Sequence, residues 1–342
     1  MVPLQGIQAS NSQLGSALPD LVAVFVGATS GIGGFTLKQL ARHARAPRIY
    51  FTGRSQEAGE QIAAECTALN AEGTFIFIKA DTSLLRNVDE ICRDIKAKER
   101  AINILFLSAG TLIRGQYTPE GLDLGLALKY YCRARFIANL LPLLQKATCL
   151  RRVVSVAAGT KEGPVDVSDL SSAKNLGVLA RHAHFSSFIT LSHAAFATKA
   201  PEVSFVHDYP GPVKTGIFRG STGMTFWLVR AILRVIGPLI YIPSEESGER
   251  HLFLATSMAF PAATQKDITR AISGVPLVDG IRVARGIDGR EGSGVYSIDQ
   301  SCESAKQAVV EVLTRMGAEG VQDRVWGHTE EVSKRIIEED GA

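Results

Sequence analysis

Between residues 21 and 211 short apolar runs alternate with stretches of helical spacing, and this alternation constrains the fold more than any other feature. The runs fall at 21–26, 48–52, 74–78, 102–107, 152–156 and 203–206, and are rich in Val, Ile and Phe. They show no clean apolar–polar alternation, which is the pattern of strands covered on both faces. Between them, 35–43, 56–69, 88–98 and 122–144 read as helices. Repeated β-α units with crossovers of one hand predict an α/β chain built on a doubly wound parallel sheet. A last strand is expected at 294–298 and a C-terminal helix at about 303–315. Residues 1–20 read as an N-terminal arm, 21–342 as a single domain, and 212–290 as an insertion over the site, because no repeat or composition break marks a second domain.

Composition removes several function classes. A net charge of +3 with no dense Lys/Arg run gives no nucleic-acid surface. The five cysteines (Cys66, Cys92, Cys132, Cys149, Cys302) are odd in number, widely spaced and without a CxxC pair. They suit neither a disulfide framework nor a metal site, and point to a reducing compartment. No basic stretch followed by an apolar run opens the chain, so the expected location is cytoplasmic. Segment 224–242 (MTFWLVRAILRVIGPLIYI) approaches bilayer length but holds Arg230, Arg234 and Pro238. Each charge at mid-span costs about 2.5–3.5 kcal/mol, so no stable membrane span is expected. The segment is read instead as part of a hydrophobic lid, about 216–245, over a pocket for an apolar small molecule.

The first strand runs into Gly27-Ala28-Thr29-Ser30-Gly31-Ile32-Gly33 and then a helix. Glycines there allow a tight turn and let backbone N–H groups approach a pyrophosphate, which the helix N-terminus favours. At the end of the second strand stands Thr52-Gly53-Arg54-Ser55, where an NAD site places an acid on the ribose 2′-hydroxyl. Arginine suits a 2′-phosphate instead, so the expected cofactor is NADP(H).

The wording GxxxGxG resembles the short-chain dehydrogenase/reductase family and its Rossmann-type fold. Asp81-Thr82, Ser108-Ala109-Gly110 and Pro210-Gly211-Pro212-Val213-Lys214-Thr215 are further landmarks of that family. Phrases such as EGLDLGLALKYY and EVSFVHDYPGPVKTGIF are similar to a filamentous-fungal branch common in secondary-metabolite gene clusters. The resemblance implies that Gly27, Gly31 and Gly33 shape the turn, with Thr29, Ser30 and Ile32 beside the phosphates. It further implies that Asp81, with Thr82 beside it, holds the adenine amine, and that Ala109 and Gly110 pack near the adenosine ribose. Pro210, Gly211, Val213 and Thr215 would border the nicotinamide, and Ser108 replaces the family's usual Asn. A homo-oligomer formed through two helices is also implied.

The family's catalytic pattern then breaks. Its proton donor is a tyrosine followed four residues later by lysine, which puts both on one helix face. None of Tyr50, Tyr117, Tyr130, Tyr131, Tyr209, Tyr241 or Tyr296 has that lysine, and no tyrosine lies between 131 and 209. Counting back from Pro210 puts the tyrosine position near Ala180 and the lysine position near His184, within one or two residues. Ala158 takes the catalytic-serine position, Ser155 lies three residues earlier, and Lys129 takes the helix Asn position. Replacement candidates are His184 first, then Lys129 (also a cofactor contact), then His182. His182 and His184 are i,i+2 and cannot both face the nicotinamide. Tyr130 and Tyr131 offer phenols from the other side of the cleft, and His193 and His207 are weaker candidates. Three functions follow: an atypical reductase of a polyketide- or terpenoid-like carbonyl, a redox-neutral cyclase, isomerase or dehydratase, or a non-catalytic relative.

Overall fold

The computed structural model describes residues 1–113, 115–171, 175–216, 232, 234, 236–237, 239–264 and 273–338. Seven parallel strands form one sheet in the order β3-β2-β1-β4-β5-β6-β7. They are β1 (Val22–Val26), β2 (Arg48–Gly53), β3 (Thr74–Lys79), β4 (Ile104–Leu107), β5 (Arg152–Val156), β6 (Ser204–Asp208) and β7 (Val295–Ile298). Each strand sits within two residues of the expected run. β1 and β4 pair directly, Val24 opposite Leu105, and the chain winds outward from that pair in both directions. A crevice opens outside the carboxyl ends of the strands at such a reversal.

The strands are mostly apolar because helices cover both faces. One face carries α1 (Leu4–Ser12), α2 (Leu14–Ala17), α3 (Gly31–His43) and α4 (Gln56–Leu69). The other carries α5 (Leu85–Lys98), the turn α6 (Leu124–Leu126), a π-helical turn Ala127–Tyr131, α7 (Cys132–Lys146) and α8 (Val178–Lys199). Two buried clusters result, one around Phe25, Phe51, Phe106 and Leu40, the other around Leu105, Phe136, Phe188 and Phe205.

Three segments differ from the sequence expectation. Residues 1–20, expected as an N-terminal arm, form α1 and α2 and pack on the domain: Ile7, Leu14 and Leu18 are buried, and Asn11 Nδ2 donates to the Glu249 backbone carbonyl at 2.9 Å. The stretch 212–290 is not all cover. Its helix α9 (Ser244–Thr256) is buried from Ser247 to Thr256 and packs against α3, inside the helical layer. Buried Arg152 fixes the end of α9 by donating to the carbonyls of Leu254, Ser257 and Ser273. The chain also continues past α10 (Gln307–Ala318) into α11 (Val321–Glu338), which packs on α8. Its apolar stripe of Val321, Val325, Val332 and Ile336 is buried, the spacing of an amphipathic helix.

Most of the expected lid, 217–231 with 233, 235 and 238, lies outside the described residues. The described positions 232, 234, 236, 237, 239 and 240 are helical, with Ile232, Ile236, Leu239 and Ile240 exposed. Among the described residues no helix is long and apolar enough to cross a membrane.

Candidate active site

A cleft of about 1440 Å³ runs along the carboxyl ends of the strands. That exceeds the usual volume for one small ligand, roughly 300–1,000 Å³, and suits a dinucleotide with a second molecule. Its lining includes Gly27, Thr29, Ser30, Gly31, Ile32, Gly33, Arg54, Asp81, Thr82, Ser108, Ala109, Gly110, Lys129, Pro210 and Thr215. Gly211 and Val213 do not line it. Gly211 sits at φ +70° and turns the chain there, while Val213 pairs as an isolated bridge with Ile242. They shape the loop rather than its surface.

The glycine turn is built for close approach. Gly27 sits at φ +84°, and a Cβ there would lie 2.7 Å from Ala109. A Cβ on Gly33 would lie 2.4 Å from Ser108 Oγ and 2.8 Å from the Gly27 carbonyl. Ser108 Oγ instead donates to the carbonyls of Val26 and Gly27, which binds β4 to the turn. Ser30 is the extended N-cap of α3, and its side chain makes no cap bond. The first N–H groups of α3 are thus left for an anion. The edge formed by Thr52, Gly53, Arg54 and Ser55 carries no carboxylate. These residues fit a nicotinamide dinucleotide.

The opposite wall is less regular. Leu126, Leu128, Leu176, Val178, Leu179, Phe185 and Ile189 make it apolar. Arg133, also in the wall, is buried; its Nη2 donates to the Ala109 carbonyl at 2.8 Å and its Nε to the Leu128 carbonyl at 3.4 Å. It therefore braces the π turn against the floor of the cofactor site. Burial pushes its guanidinium down to about 10.

On α8 the order of the expected histidines is reversed. The cleft face of that helix presents Val178, Leu179, Arg181, His182, Phe185, Ser186 and Ile189, a stripe that recurs every three or four residues. His184 is buried on another face, accepts from the Asp166 N–H at Nδ1 and stacks on Phe188. Burial pushes its pKa below the usual imidazole value, with Asp166 pulling the other way. It does not line the cleft, whereas exposed His182 does, with Ser186 four residues on. Lys129 lines the cleft from the π turn.

Below this wall lies a buried polar layer that gathers Ser155, His193 and His207, each named singly in the sequence, around Glu162. Ser155, His207 and Ser297 are level neighbours on β5, β6 and β7. His207 Nε2 accepts from the Ala158 N–H at 3.1 Å, so its proton sits on Nδ1, 2.7 Å from Thr190 Oγ1. Thr190 and Ser297 hydroxyls both donate to Glu162 Oε1 at 2.7 Å. Burial alone would raise the Glu162 carboxyl; hydrogen bonds from His207, Ser297 and Thr190 outweigh it and hold the group below its usual range. Ser155 Oγ is engaged by His193 Nε2 at 3.0 Å, away from the cleft. His193 is pushed well below its usual value by burial, with His207 and Arg133 adding to the effect. The Ala158 loop is thus held from beneath, with Ser186 Oγ donating to the Ala158 carbonyl from above.

α11 closes the far end with His328, Glu331, Val332 and Arg335. Tyr131 hydroxyl meets His328 Nε2 at 2.8 Å, while Tyr130 hydroxyl contacts Ser192 and Thr329 at 2.6 and 2.5 Å. No sequence signal marked His328, because its position depends on how a remote helix docks. Among the described residues no group of three or more His, Cys, Asp or Glu is placed to hold a metal.

Comparison with known proteins agrees with this geometry. Residues 21–122 match the short chain dehydrogenase family model. Oxidoreductase AN1596 of Emericella nidulans is 39% identical over 344 residues, covering 98% of this chain and 99% of that protein. Oxidoreductase andH of Emericella variicolor is 34% identical over 330 residues, covering 96% of each. Among solved structures, the Pseudomonas aeruginosa RhlG/NADP active-site complex superposes with a TM-score of 0.51 at 20% identity, over 70% of this chain and 90% of that one. This last likeness concerns the fold alone. The chain belongs to the short-chain dehydrogenase/reductase family, within the filamentous-fungal secondary-metabolism branch that its wording resembles.

Proposed function

We propose that this protein is an NADP(H)-dependent oxidoreductase that reduces a carbonyl on a hydrophobic small molecule, a polyketide- or terpenoid-like intermediate of fungal secondary metabolism. One observation carries the reading: a single cleft joins an intact dinucleotide turn to an apolar wall formed by Leu126, Leu128, Leu176, Leu179, Phe185 and Ile189. An intact turn favours redox chemistry over a redox-neutral reaction, which has no need of it.

When bound, NADPH supplies the hydride. The chain's own residues then have three tasks. The turn 27–33 and the N-terminus of α3 hold the pyrophosphate, and Arg54 meets the 2′-phosphate. The loop 157–161, held by His207, Ser297 and Ser186, keeps the reacting face rigid. Lys129 and His182 border the polar part of the substrate site, and the apolar wall excludes water around its carbon skeleton. Tetrad loss removes the usual donor, and general acid catalysis is worth about 10²–10⁴-fold, so activity on generic diketones is expected to be feeble.

Calorimetric titration tests the cofactor assignment. NADPH is expected to bind at least tenfold tighter than NADH, about 1.4 kcal/mol, and Arg54→Ala to erase that preference with the fold intact. Equal affinities in the wild type would contradict it.

A further inference from the structure

Tyr131 and His328 are 197 positions apart in the chain, yet the Tyr131 hydroxyl lies 2.8 Å from His328 Nε2, and both residues line the cleft. Tyr131 ends the π turn Ala127–Tyr131, and such widened turns are frequent at functional sites. The adjacent Tyr130 serves packing: its hydroxyl is held by Ser192 and Thr329, neither of which lines the cleft. The third tyrosine of the lining, Tyr117, is 67% exposed and offers no enclosed donor. Tyr131 is thus the one buried phenol, among the described residues, whose hydroxyl ends on a second titratable side chain of the cleft.

We propose that Tyr131 is the proton donor to the substrate oxygen and that His328 positions and recharges it. The proposal rests on the reading that the cleft reduces a carbonyl. As hydride reaches the carbonyl carbon, the C=O π pair moves onto oxygen. The Tyr131 O–H bond breaks and its proton joins that oxygen, giving the alcohol. The phenolate takes the Nε2 proton of His328, whose Nδ1 accepts a proton from water. One hydride and one solvent proton are consumed.

The surroundings suit these roles. Burial, reinforced by Tyr130 and opposed by Arg335, pushes the Tyr131 phenol upward, so it stays protonated across the neutral range. Burial pushes His328 below the usual imidazole value, Glu331 and Asp169 pull it up and Arg335 lowers it. A neutral imidazole with its proton on Nε2 donates to the phenol oxygen and leaves the phenol proton free for substrate. The pair shares the cleft lining with the apolar residues Leu126, Leu128 and Val332.

Farnesal, a prenyl aldehyde labelled with carbon-13 at the carbonyl, serves as the probe in complex with the enzyme and NADP⁺. Infrared difference spectra are expected to show a lowered carbonyl stretch in the wild type and none of that lowering in Tyr131→Phe. NADPH oxidation by farnesal is expected to slow at least 100-fold in that variant, with NADPH affinity unchanged within twofold and melting preserved. His328→Gln, which keeps an N–H facing the phenol, is expected to retain the lowered stretch, whereas His328→Ala weakens it and slows turnover about tenfold. A lowered stretch that survives in Tyr131→Phe, or a wild type that shows none or does not bind farnesal, overturns the proposal. A Tyr131-dependent stretch without any NADPH oxidation would overturn the redox reading and leave the Tyr131 contact standing.

Discussion

At the dinucleotide end of the cleft the backbone does the work, whereas at the substrate end side chains from remote elements do it. The turn 27–33 acts through missing Cβ atoms: Gly27 and Gly33 let β1, β4 and α3 pack so closely that a Cβ on either would lie under 3 Å from its neighbours. Such a site is written in consecutive residues, because a tight turn needs its glycines at fixed offsets. The substrate end joins the π turn, the 157–161 loop, α8 and α11, and its parts span positions 117 to 335. Nothing in the local backbone dictates those side chains, so the reacting groups can change while the cofactor turn stays. The lost tetrad beside an intact turn is an instance of that freedom.

The sharpest way to break this contrast is at the turn itself. Gly33→Val places a branched side chain where one Cβ already meets Ser108 and the Gly27 carbonyl. Fluorescence titration is expected to show NADPH affinity down at least 100-fold, about 2.7 kcal/mol, since the turn must open to admit it. Retention within threefold would show that backbone geometry is not what binds.

His182 tests the other end with a smaller effect. It is exposed at the cleft rim, so His182→Ala is expected to lower kcat/KM by about tenfold, about 1.4 kcal/mol, mostly through KM. A thousandfold fall in kcat would return the acid–base role to α8 and undo the Tyr131 assignment.

A further effect is one of pH. His193 and His184 are buried and held below their usual imidazole values, so the unfolded chain binds protons that the folded chain refuses. Stability present above about pH 6.5 is therefore lost as pH falls below it, by on the order of 1 kcal/mol per histidine within the next unit. Urea midpoints at pH 7.5 and 5.5 check the sign: a lower midpoint at pH 5.5 is expected, and a flat or rising one contradicts it. His193→Gln should flatten the slope.

The same contrast explains what the sequence could reveal. Strands covered on both faces read as apolar runs, and the glycine turn reads as a motif, so the sheet and the phosphate end were legible. The absence of a tyrosine between 131 and 209 was legible too, since it needs no structure. Placing its substitute was not. Two residues along α8 turn a side chain by about 200°, enough to separate buried His184 from cleft-lining His182. Glu162, Arg133 and His328 carried no signal because each acts through at least one partner 24 or more residues away. α9 looked like cover because it follows the site in sequence, whereas its burial against α3 is a matter of tertiary packing.

The central claim is that this cleft transfers hydride from a nicotinamide to an apolar carbonyl compound without a tyrosine on α8. Its most direct test is to incubate the full chain with NADPH carrying deuterium at the nicotinamide C4 position, each face labelled in turn, and farnesal as the acceptor. Mass spectrometry of the product decides the matter. The account predicts farnesol with one deuterium at the former carbonyl carbon from one of the two labelled faces. Unchanged farnesal, or a product of altered skeleton that carries no deuterium and forms equally well without NADPH, would contradict it.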